Sequence, residues 1–239
     1  MLGRFLEISL YTPEIQESLR FYEMLGFQQA QVGETWPYPY AVVTDGRLFL
    51  GLHGNPIRAP ALTFVHPDLR AGLADLESLG LRADTEFFGD DVFNRASFSD
   101  PQGMCLNLLE ARTFSPPLIE AQSITTCGYF SEIGIPTREL QVAREFWERV
   151  GFVAMEEESL PFPRTTVTSD SLNLGLYRSR AFRQPVLTFE DDNMAERLAV
   201  LRERGFTLSD EMPDSLDERE NAVLIAPEGT RLLLVQAQA

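Results

Sequence analysis

The sequence consists of two similar halves, and this internal repeat limits the possible folds more than any other feature. Five blocks recur with an offset of 124 to 126 residues: "SLRFYEMLGF" (18–27) with "VAREFWERVGF" (142–152), "WPYPYAVVTDGRLFLGL" (36–52) with "LPFPRTTVTSDSLNLGL" (160–176), "PALTF" (60–64) with "PVLTF" (185–189), "LGL" (79–81) with "RGF" (204–206), and "DPQGMCLNLLE" (100–110) with "APEGTRLLLVQ" (226–236). A register kept over five blocks indicates duplication of one unit. We therefore predict two domains, at 1–113 and 127–239, joined by a linker at 114–126.

Each half shows the same order of predicted elements twice, namely a strand, a helix and three short strands. Apolar residues at helical spacing from Ile15 to Leu25 predict a helix that ends at Gly26. Leucines from Leu69 to Leu79 predict a second helix before Gly80. The predicted fold class is α+β, with four βαβββ modules in two tandem domains.

Composition and charge exclude several classes of partner. The formal net charge is −16, which repels phosphate backbones and anionic lipid, so we expect neither a nucleic-acid nor a membrane partner. No basic and apolar leader or long apolar run is present, and two cysteines are too few for a disulfide framework or a thiolate zinc site. We expect a cytoplasmic protein whose acidic charge attracts a cationic ligand.

A glutamate occupies the same place in two predicted strands. In "FLEISLYTP" the apolar residues Leu6, Ile8 and Leu10 alternate with Glu7 and its neighbours, and "FSEIGIPT" repeats the arrangement around Glu132. A buried carboxylate is costly unless it finds a partner, shifts its pKa or stays wet. The repetition therefore marks this strand face as a candidate site.

The segments "TPEIQESLRFYEMLGF" and "DPQG", the latter followed by an apolar strand, resemble the vicinal oxygen chelate superfamily. That superfamily includes glyoxalase I, bleomycin- and fosfomycin-resistance proteins and extradiol ring-cleavage dioxygenases. The resemblance covers both halves. It implies that paired βαβββ modules curl a mixed sheet into a cup, with helices on the convex side and often a divalent metal on the concave side.

The resemblance also assigns metal-ligand positions to the first, fourth, fifth and last strands of each domain. These positions fall on Glu7, near Gly51, near Ala61 and on Asn107 in the first half, and on Glu132, Gly175, Val186 and Leu233 in the second. The sequence holds only two histidines, His53 and His66. A metal site needs several converging donors, so we expect no metal cofactor. A divalent metal shared by Glu7 and Glu132 is the alternative.

Strand alternation predicts which residues line each cup. The first cup is predicted to carry Phe5, Glu7, Ser9, Tyr11, Phe49, Gly51, His53, Ala61, Thr63, Cys105 and Asn107. The second is predicted to carry Phe130, Glu132, Gly134, Asn173, Gly175, Tyr177, Thr188, Arg231 and Leu233. Candidate ligand-binding residues are Glu7, Tyr11, Trp36, Tyr38, Tyr40, Phe49, His53, Asn107, Glu132 and Arg231. Arg231 is alternatively a structural ion-pair partner of Glu132.

Three specific functions remain open, besides a purely structural role. The first is metal-independent binding or sequestration of a small molecule, as in the bleomycin-resistance branch. The second is a cofactor-free enzyme, either a glyoxalase-like lyase or isomerase or a dioxygenase-like enzyme, with Glu7 as general base and His53 as a second catalytic residue. The third is a metal-dependent lyase or dioxygenase. We expect a monomer that is a pseudo-dimer of its two domains, or a homodimer.

Overall fold

The two halves form two equivalent sheets in a computed structural model, which describes residues 1–32, 36–90, 93–111, 125–159, 162–209 and 211–237. The first half contains β1 (Arg4–Tyr11), α1 (Ile15–Met24), β2 (Gln28–Ala30), β3 (Tyr40–Thr44), β4 (Phe49–His53), β5 (Ala61–His66), α2 (Leu69–Ser78), β6 (Thr85–Phe87), β7 (Arg95–Ser99) and β8 (Cys105–Glu110). The second half contains β9 (Tyr129–Pro136), α3 (Leu140–Arg149), β10 (Val153–Glu158), β11 (Arg164–Thr168), β12 (Asn173–Tyr177), β13 (Val186–Asp191), α4 (Met194–Glu203), β14 (Leu208–Ser209), β15 (Ala222–Ile225) and β16 (Arg231–Gln236).

Both sheets have eight strands in the same order. The first runs β2-β3-β4-β1-β5-β8-β7-β6 and the second β10-β11-β12-β9-β13-β16-β15-β14. The strand β1 pairs parallel with β4 and antiparallel with β5, so the first sheet is mixed and joins two βαβββ modules. The predicted α+β class with four modules in two tandem domains is confirmed. The linker predicted at 114–126 falls largely outside the described residues, so the domain boundaries stay a prediction.

The convex face of each sheet is apolar, as strand alternation predicts. In the first sheet this face carries Ile8, Leu10, Leu50, Leu52, Leu62, Leu106 and Leu108, all at most 2% exposed. The helix α1 packs against β3 and β4, and α2 packs against β8. Full burial of one such side chain stabilises the fold by about 1.5–3 kcal/mol. This face is therefore the core, and the opposite face is free to form a site.

A break in the strand register corrects the predicted place of two phenylalanines. The pairing of β1 with β5 shifts between Phe5 and Glu7, and Phe5 packs edge-on against the core residue Phe64 with ring centroids 5.5 Å apart. In the second sheet Phe130 packs in the same way on Phe189, at 5.6 Å. An extra residue at such a shift reverses the alternation. Phe5 and Phe130 therefore join the core and not the cups.

The two halves share one buried core. The rings of Phe27 and Phe189, from different halves, lie 6.1 Å apart edge-to-face within a single apolar cluster. Tyr22 on α1 donates a 2.6 Å hydrogen bond to Glu228, which precedes β16, and Ser18 donates one of 2.8 Å to the same carboxylate. Apolar packing and charge-assisted hydrogen bonds thus join the halves. Among the described helices, none is long and apolar enough to cross a membrane.

Candidate functional site

A cavity of about 710 Å³ lies on the concave face of the first sheet, the first cup. Its wall consists of Ser9, Trp36, Pro37, Tyr38, His53, Asn55, Pro56, Ile57, Arg58, Thr63, Thr85, Phe87, Arg95, Ala96, Ser97, Cys105, Asn107 and Leu109. The wall includes four of the predicted ligand-binding residues, namely Trp36, Tyr38, His53 and Asn107. Both modules of the first domain contribute to it, so the cavity depends on the complete sheet.

Glu7 lies beneath this wall and not on it. The residue is 2% exposed, and its carboxylate accepts three hydrogen bonds. Ser9 Oγ and His53 Nε2 reach Oε1 at 2.8 and 3.0 Å, and Tyr40 Oη reaches Oε2 at 2.5 Å. These donors replace the water that a buried carboxylate loses. Glu7 is therefore a satisfied group that orients its neighbours, and His53 is the member of the pair that faces the cavity.

Residue 51 must be a glycine, because the Glu7 carboxylate occupies the space that a side chain would fill. Gly51 on β4 pairs with Ser9 on β1, and a Cβ atom at Gly51 would lie 2.1 Å from Oε1 of Glu7. No side chain fits at that distance, so any residue with a Cβ would displace the carboxylate. The fourth-strand position that the resemblance assigns to a metal ligand is thus covered by the Glu7 carboxylate itself.

A chain of hydrogen bonds leads from Glu7 to the cavity. Because a carboxylate only accepts hydrogen bonds, the hydrogen between Glu7 and His53 belongs to Nε2 of the imidazole. In the neutral ring Nδ1 then accepts from the Tyr38 hydroxyl, 3.2 Å away. Burial raises the pKa of Tyr38, Arg95 lowers it and Glu7 raises it further. Tyr38 is therefore a neutral donor at neutral pH.

Tyr40 is also held in its neutral form. Burial raises the pKa of the Tyr40 hydroxyl well above its usual range, and the neighbouring Glu7 charge adds to the effect. Its ring lies beside that of His53, with centroids 4.7 Å apart. Tyr40 thus fixes both the carboxylate and the imidazole from behind the cavity wall.

Aromatic rings form one side of the cavity. Trp36 stacks on Tyr38 with centroids 5.5 Å apart and planes 17° apart. The indole of Trp36 also lies edge-on to the His53 ring, with centroids 5.7 Å apart, and tilted against the Phe93 ring, with centroids 5.9 Å apart. Such rigid aromatic groups offer planar surface for a ligand at little cost in side-chain entropy. The predicted aromatic residues Trp36 and Tyr38 therefore do lie together.

Sequence reasoning missed the opposite side of the cavity, which β6 and β7 supply. Ser97 on β7 pairs with Asn107 on β8, so both face the cavity, and Arg95 lies two residues before Ser97 on the same face. The alternation in "RASFS", with Ala96 and Phe98 buried, was the signal that could have identified these residues. Asn107 Nδ2 donates to Thr63 Oγ1 at 3.4 Å, which orients its amide.

Two predicted residues of the first sheet lie outside the cavity wall. Tyr11 is the last residue of β1 and Phe49 the first of β4, and neither belongs to the described cavity wall. The shared face was predicted correctly from alternation, but the cavity covers only part of that face. Phe49 is separated from His53 by the length of β4, whereas Tyr11 pairs with His53 in register and still lies outside the wall.

The second cup is smaller and differently charged. Its cavity measures about 240 Å³ and includes Glu132, Glu158, Arg164 and Glu190 in its wall. Glu132, 5% exposed, accepts from Arg164 Nη1 at 3.3 Å and from Thr166 Oγ1 at 3.1 Å. Burial raises the pKa of Glu132, and Arg164 and Thr166 lower it in part. This carboxylate is held as a structural ion pair.

The predicted partner of Glu132 is corrected by this geometry. Arg231 bonds to Glu211 at 2.7 Å instead and is not part of the described cavity wall. The reason is register, because Glu132 pairs with Thr188 on β13, whereas Arg231 on β16 pairs with Val186, two residues further along. The arginine that reaches Glu132 comes from β11.

A tyrosine fills much of the second cup. Tyr177 occupies the position that His53 has in the first half, and its ring lies over Gly134, where a Cβ atom would come within 2.3 Å of the ring. Burial raises the pKa of Tyr177, as does the nearby Glu132. The side chain is 2% exposed. Gly134 thus permits a ring where the first cup has Ser9 and open space.

The residues present do not fit the divalent metal that the resemblance implies. Within the described part of the chain no group of three or more His, Cys, Asp or Glu side chains converges. Glu7 and Glu132 are each bonded to donors of their own sheet, and His66 accepts from the backbone N–H of Asp68 at 3.1 Å, outside either cup. A hard divalent cation needs several oxygen or nitrogen ligands around one point. We therefore derive no chemistry through a metal.

Comparisons with known proteins identify the fold. No family model and no curated protein matches the chain. Solved structures match over 99% of it, among them a catechol 2,3-dioxygenase (14% identity, 88% of that chain, TM-score 0.62) and 2,2',3-trihydroxybiphenyl 1,2-dioxygenase from Sphingomonas wittichii (15%, 91%, 0.64). Homoprotocatechuate 2,3-dioxygenase from Brevibacterium fuscum matches at 14% identity over 72% of its length, with a TM-score of 0.61. The chain therefore has the two-domain fold of the extradiol dioxygenases.

Proposed function

We propose that the chain is a member of the vicinal oxygen chelate superfamily whose first cup binds a small organic molecule without a divalent metal, in the manner of the bleomycin-resistance branch. One observation carries this proposal. The cup holds a cavity of about 710 Å³ with a stacked aromatic wall, while the carboxylate at the usual metal position is already bonded to three donors.

The cavity has the properties of a small-molecule site. Its volume lies within the range of about 300–1,000 Å³ that is usual for ligand pockets. Trp36, Tyr38 and Phe87 offer apolar and aromatic surface, and the oxygens of the Tyr38 hydroxyl and the Asn107 amide can accept hydrogen bonds at fixed positions. An apolar wall with a few oriented polar groups is what gives such sites both affinity and specificity.

The proposal is tested by a ligand-observed NMR screen of aromatic acids, amides and amines on chelator-treated protein. We expect fragments to bind the metal-free protein, and Trp36→Leu to weaken them, because it removes the stacked wall. The matched control is Phe162→Leu in the second cup, where Phe162 packs on Tyr177 at 5.0 Å; it should leave binding unchanged. A stoichiometric, tightly bound metal in untreated protein, or fragments indifferent to Trp36→Leu, contradicts the proposal.

A second candidate function is favoured by the chain from Glu7 through His53 to Tyr38. Glu7 stabilises the positive charge that His53 gains on accepting a proton at Nδ1. A ligand group that displaces Tyr38 from Nδ1 therefore meets a general base. The reaction is proton abstraction from a carbon next to a carbonyl, with return of the proton at another position, as in an isomerase.

This second function is tested on any ligand that the screen identifies. Glu7→Gln should keep most of the affinity but abolish exchange of the ligand's acidic C–H for deuterium from D2O, because the histidine loses its carboxylate partner. Glu132→Gln, the same change in the second cup, is the control and should leave exchange intact. Absence of exchange in the unmodified protein overturns the catalytic role and leaves the binding role standing.

A further inference from the structure

We propose that the ligand of the first cup is a small aromatic anion, such as an aromatic carboxylate, and that Arg95 is its charged anchor. This inference rests on the proposed binding function and names the chemical class of its ligand. It reverses the expectation of a cationic ligand that the net charge of −16 suggested.

The charge of the cavity wall is opposite in sign to that of the whole chain. Arg58 and Arg95 are the charged members of the described wall, and it contains no aspartate or glutamate. Charges further away than about 8–10 Å are largely screened at physiological salt, so the nearest groups decide which ligand is favoured. Two carboxylates lie next to wall residues and both are engaged: Glu7 is bonded to His53 and Tyr40, and Asp84 is paired with Arg58.

The two arginines differ in what they contact. Arg58 is tied to other groups, because it pairs with Asp84 at 3.3 Å and donates to Ser99 Oγ at 3.0 Å and to the Gly103 carbonyl at 3.2 Å. The guanidinium of Arg95 instead lies over the ring of Phe87, 4.6 Å from its centroid, and pairs with no carboxylate of the described residues. Arg95 is therefore the cation that a ligand can engage.

The position of Arg95 relative to the aromatic wall defines the shape of the ligand. Arg95 and Tyr38 line the same cavity, so the guanidinium acts on the space that the Tyr38 hydroxyl faces. In keeping with this, burial raises the pKa of Tyr38, the charge of Arg95 lowers it and that of Glu7 raises it. A planar ring on Trp36 and Tyr38 would thus direct an acidic group towards Arg95. The planar fork of a guanidinium matches a carboxylate, which it binds with two parallel hydrogen bonds.

The second cup lacks this anchor. The repeat places Asn221 where the first half has Arg95, and the second wall carries the carboxylates of Glu132, Glu158 and Glu190 with Arg164. An anion is repelled there, and the cavity is about a third as large. Anion binding is therefore expected in the first cup alone.

The inference is tested by calorimetric titration with three probes of one shape, namely naphthoate, naphthamide and naphthylmethylammonium. We expect naphthoate to bind most tightly, with an affinity that falls as salt is raised. Arg95→Met should weaken naphthoate by about tenfold to a hundredfold, the usual cost of losing a charge-assisted hydrogen bond, and leave naphthamide unchanged. Arg70→Met is the matched control, because Arg70 lies over Phe88 in the same way, 4.1 Å from its centroid, outside the cavity.

The outcomes separate this inference from the binding function beneath it. Equal affinity for naphthoate and naphthamide contradicts an anionic ligand but leaves the binding function standing. An Arg95→Met protein that still prefers naphthoate contradicts Arg95 as the anchor and likewise leaves the binding function standing. Tightest binding of naphthylmethylammonium restores the cationic ligand. Binding by none of the three, with intact folding shown by circular dichroism, overturns both.

Discussion

The two cups share a fold and a glutamate but not the neighbours of that glutamate. Both hold a buried carboxylate beside a glycine, Glu7 with Gly51 and Glu132 with Gly175, where a Cβ atom would lie 2.1 and 2.2 Å from the carboxylate. Around it the first cup has hydroxyl and imidazole donors, and the second has a hydroxyl and an arginine. The Glu–Gly pair is thus a structural part of both sheets, and function depends on what surrounds it.

The residue at the end of the fourth strand differs between the two cups. His53 in the first cup leaves a cavity of about 710 Å³, whereas Tyr177 turns its ring over Gly134 and leaves about 240 Å³. The same fold thus carries a large cavity in one sheet and a small one in the other, and the two differ at residues 9 and 53, whose counterparts are Gly134 and Tyr177. Four predictions test these differences and likenesses between the two halves.

The largest effect is expected from giving the first cup the residues of the second. In Ser9→Gly combined with His53→Tyr, the new ring should lie over residue 9 as Tyr177 lies over Gly134. We expect naphthoate affinity to fall at least a hundredfold and the protein to lose some stability, because the change also removes two of the three donors to the buried Glu7 carboxylate. Titration calorimetry and near-ultraviolet circular dichroism measure the two results. Retained affinity would show that Tyr177 is not what closes the second cup.

A smaller effect, on stability, is expected where the cups are alike. Gly51→Ala and Gly175→Ala should each destabilise the protein by about 1–3 kcal/mol, the usual cost of overpacking, because the added methyl displaces a bonded carboxylate. Urea denaturation measures the change. Gly72→Ala in α2 is the control, since its Cβ would meet the partly exposed His66 ring at 3.0 Å, a tight contact that a small shift of the ring relieves, and alanine favours a helix. Destabilisation of only one of the two cups would contradict the shared role of the pair.

The contact between the halves is expected to contribute somewhat less. Tyr22→Phe removes the phenol that donates to Glu228, while Ser18 still donates to the same carboxylate. A loss of about 1.5–2 kcal/mol in unfolding free energy is expected, the lower part of the range for a hydrogen bond to a charged group, because Ser18 keeps its own bond. The transition should stay single, because the halves share a core. Two separate unfolding steps would show that the cups are independent units.

The smallest effect is a difference in pH dependence. Burial raises the pKa of Glu132 above its ordinary value of 4.5. The folded state therefore holds the proton of the Glu132 carboxyl group more tightly than the unfolded state does. Its contribution to stability is therefore present at low pH and is lost as the pH rises through the folded pKa. Glu132→Gln should flatten this slope in denaturation measured from pH 4 to pH 8. Glu211→Gln, at an exposed ion pair, is the control; an unchanged slope in Glu132→Gln would contradict the burial effect.

The sequence was sufficient for what depends on local periodicity and on the repeat. The order of elements, the duplicated modules and the shared face of Glu7, Ser9 and His53 follow from alternation and spacing, which each strand carries in its own residues. The aromatic wall could also be anticipated, because Trp36 and Tyr38 lie close together in the sequence.

What the sequence did not predict depends on how distant strands pair. Arg164 reaches Glu132 from β11, across the intervening β12, and Arg231 misses it by two residues of register. The register shift between Phe5 and Glu7 directs the Phe5 ring towards the core and away from the cup. Arg95 joins the wall only because β7 pairs with β8. Each of these contacts is set by the sheet as a whole, so no single segment encodes it.

The shared core described between the halves makes the peptide link between them secondary. Tyr22 bonds to Glu228, Arg204 donates to the Met24 carbonyl at 3.0 Å, and Phe27 packs against Phe189, so each half completes the burial of the other. A chain cleaved once between the halves should therefore stay together as a single particle and keep its cup. Either half produced alone would expose to water the apolar surface that it normally buries against the other half, and it would be prone to aggregate.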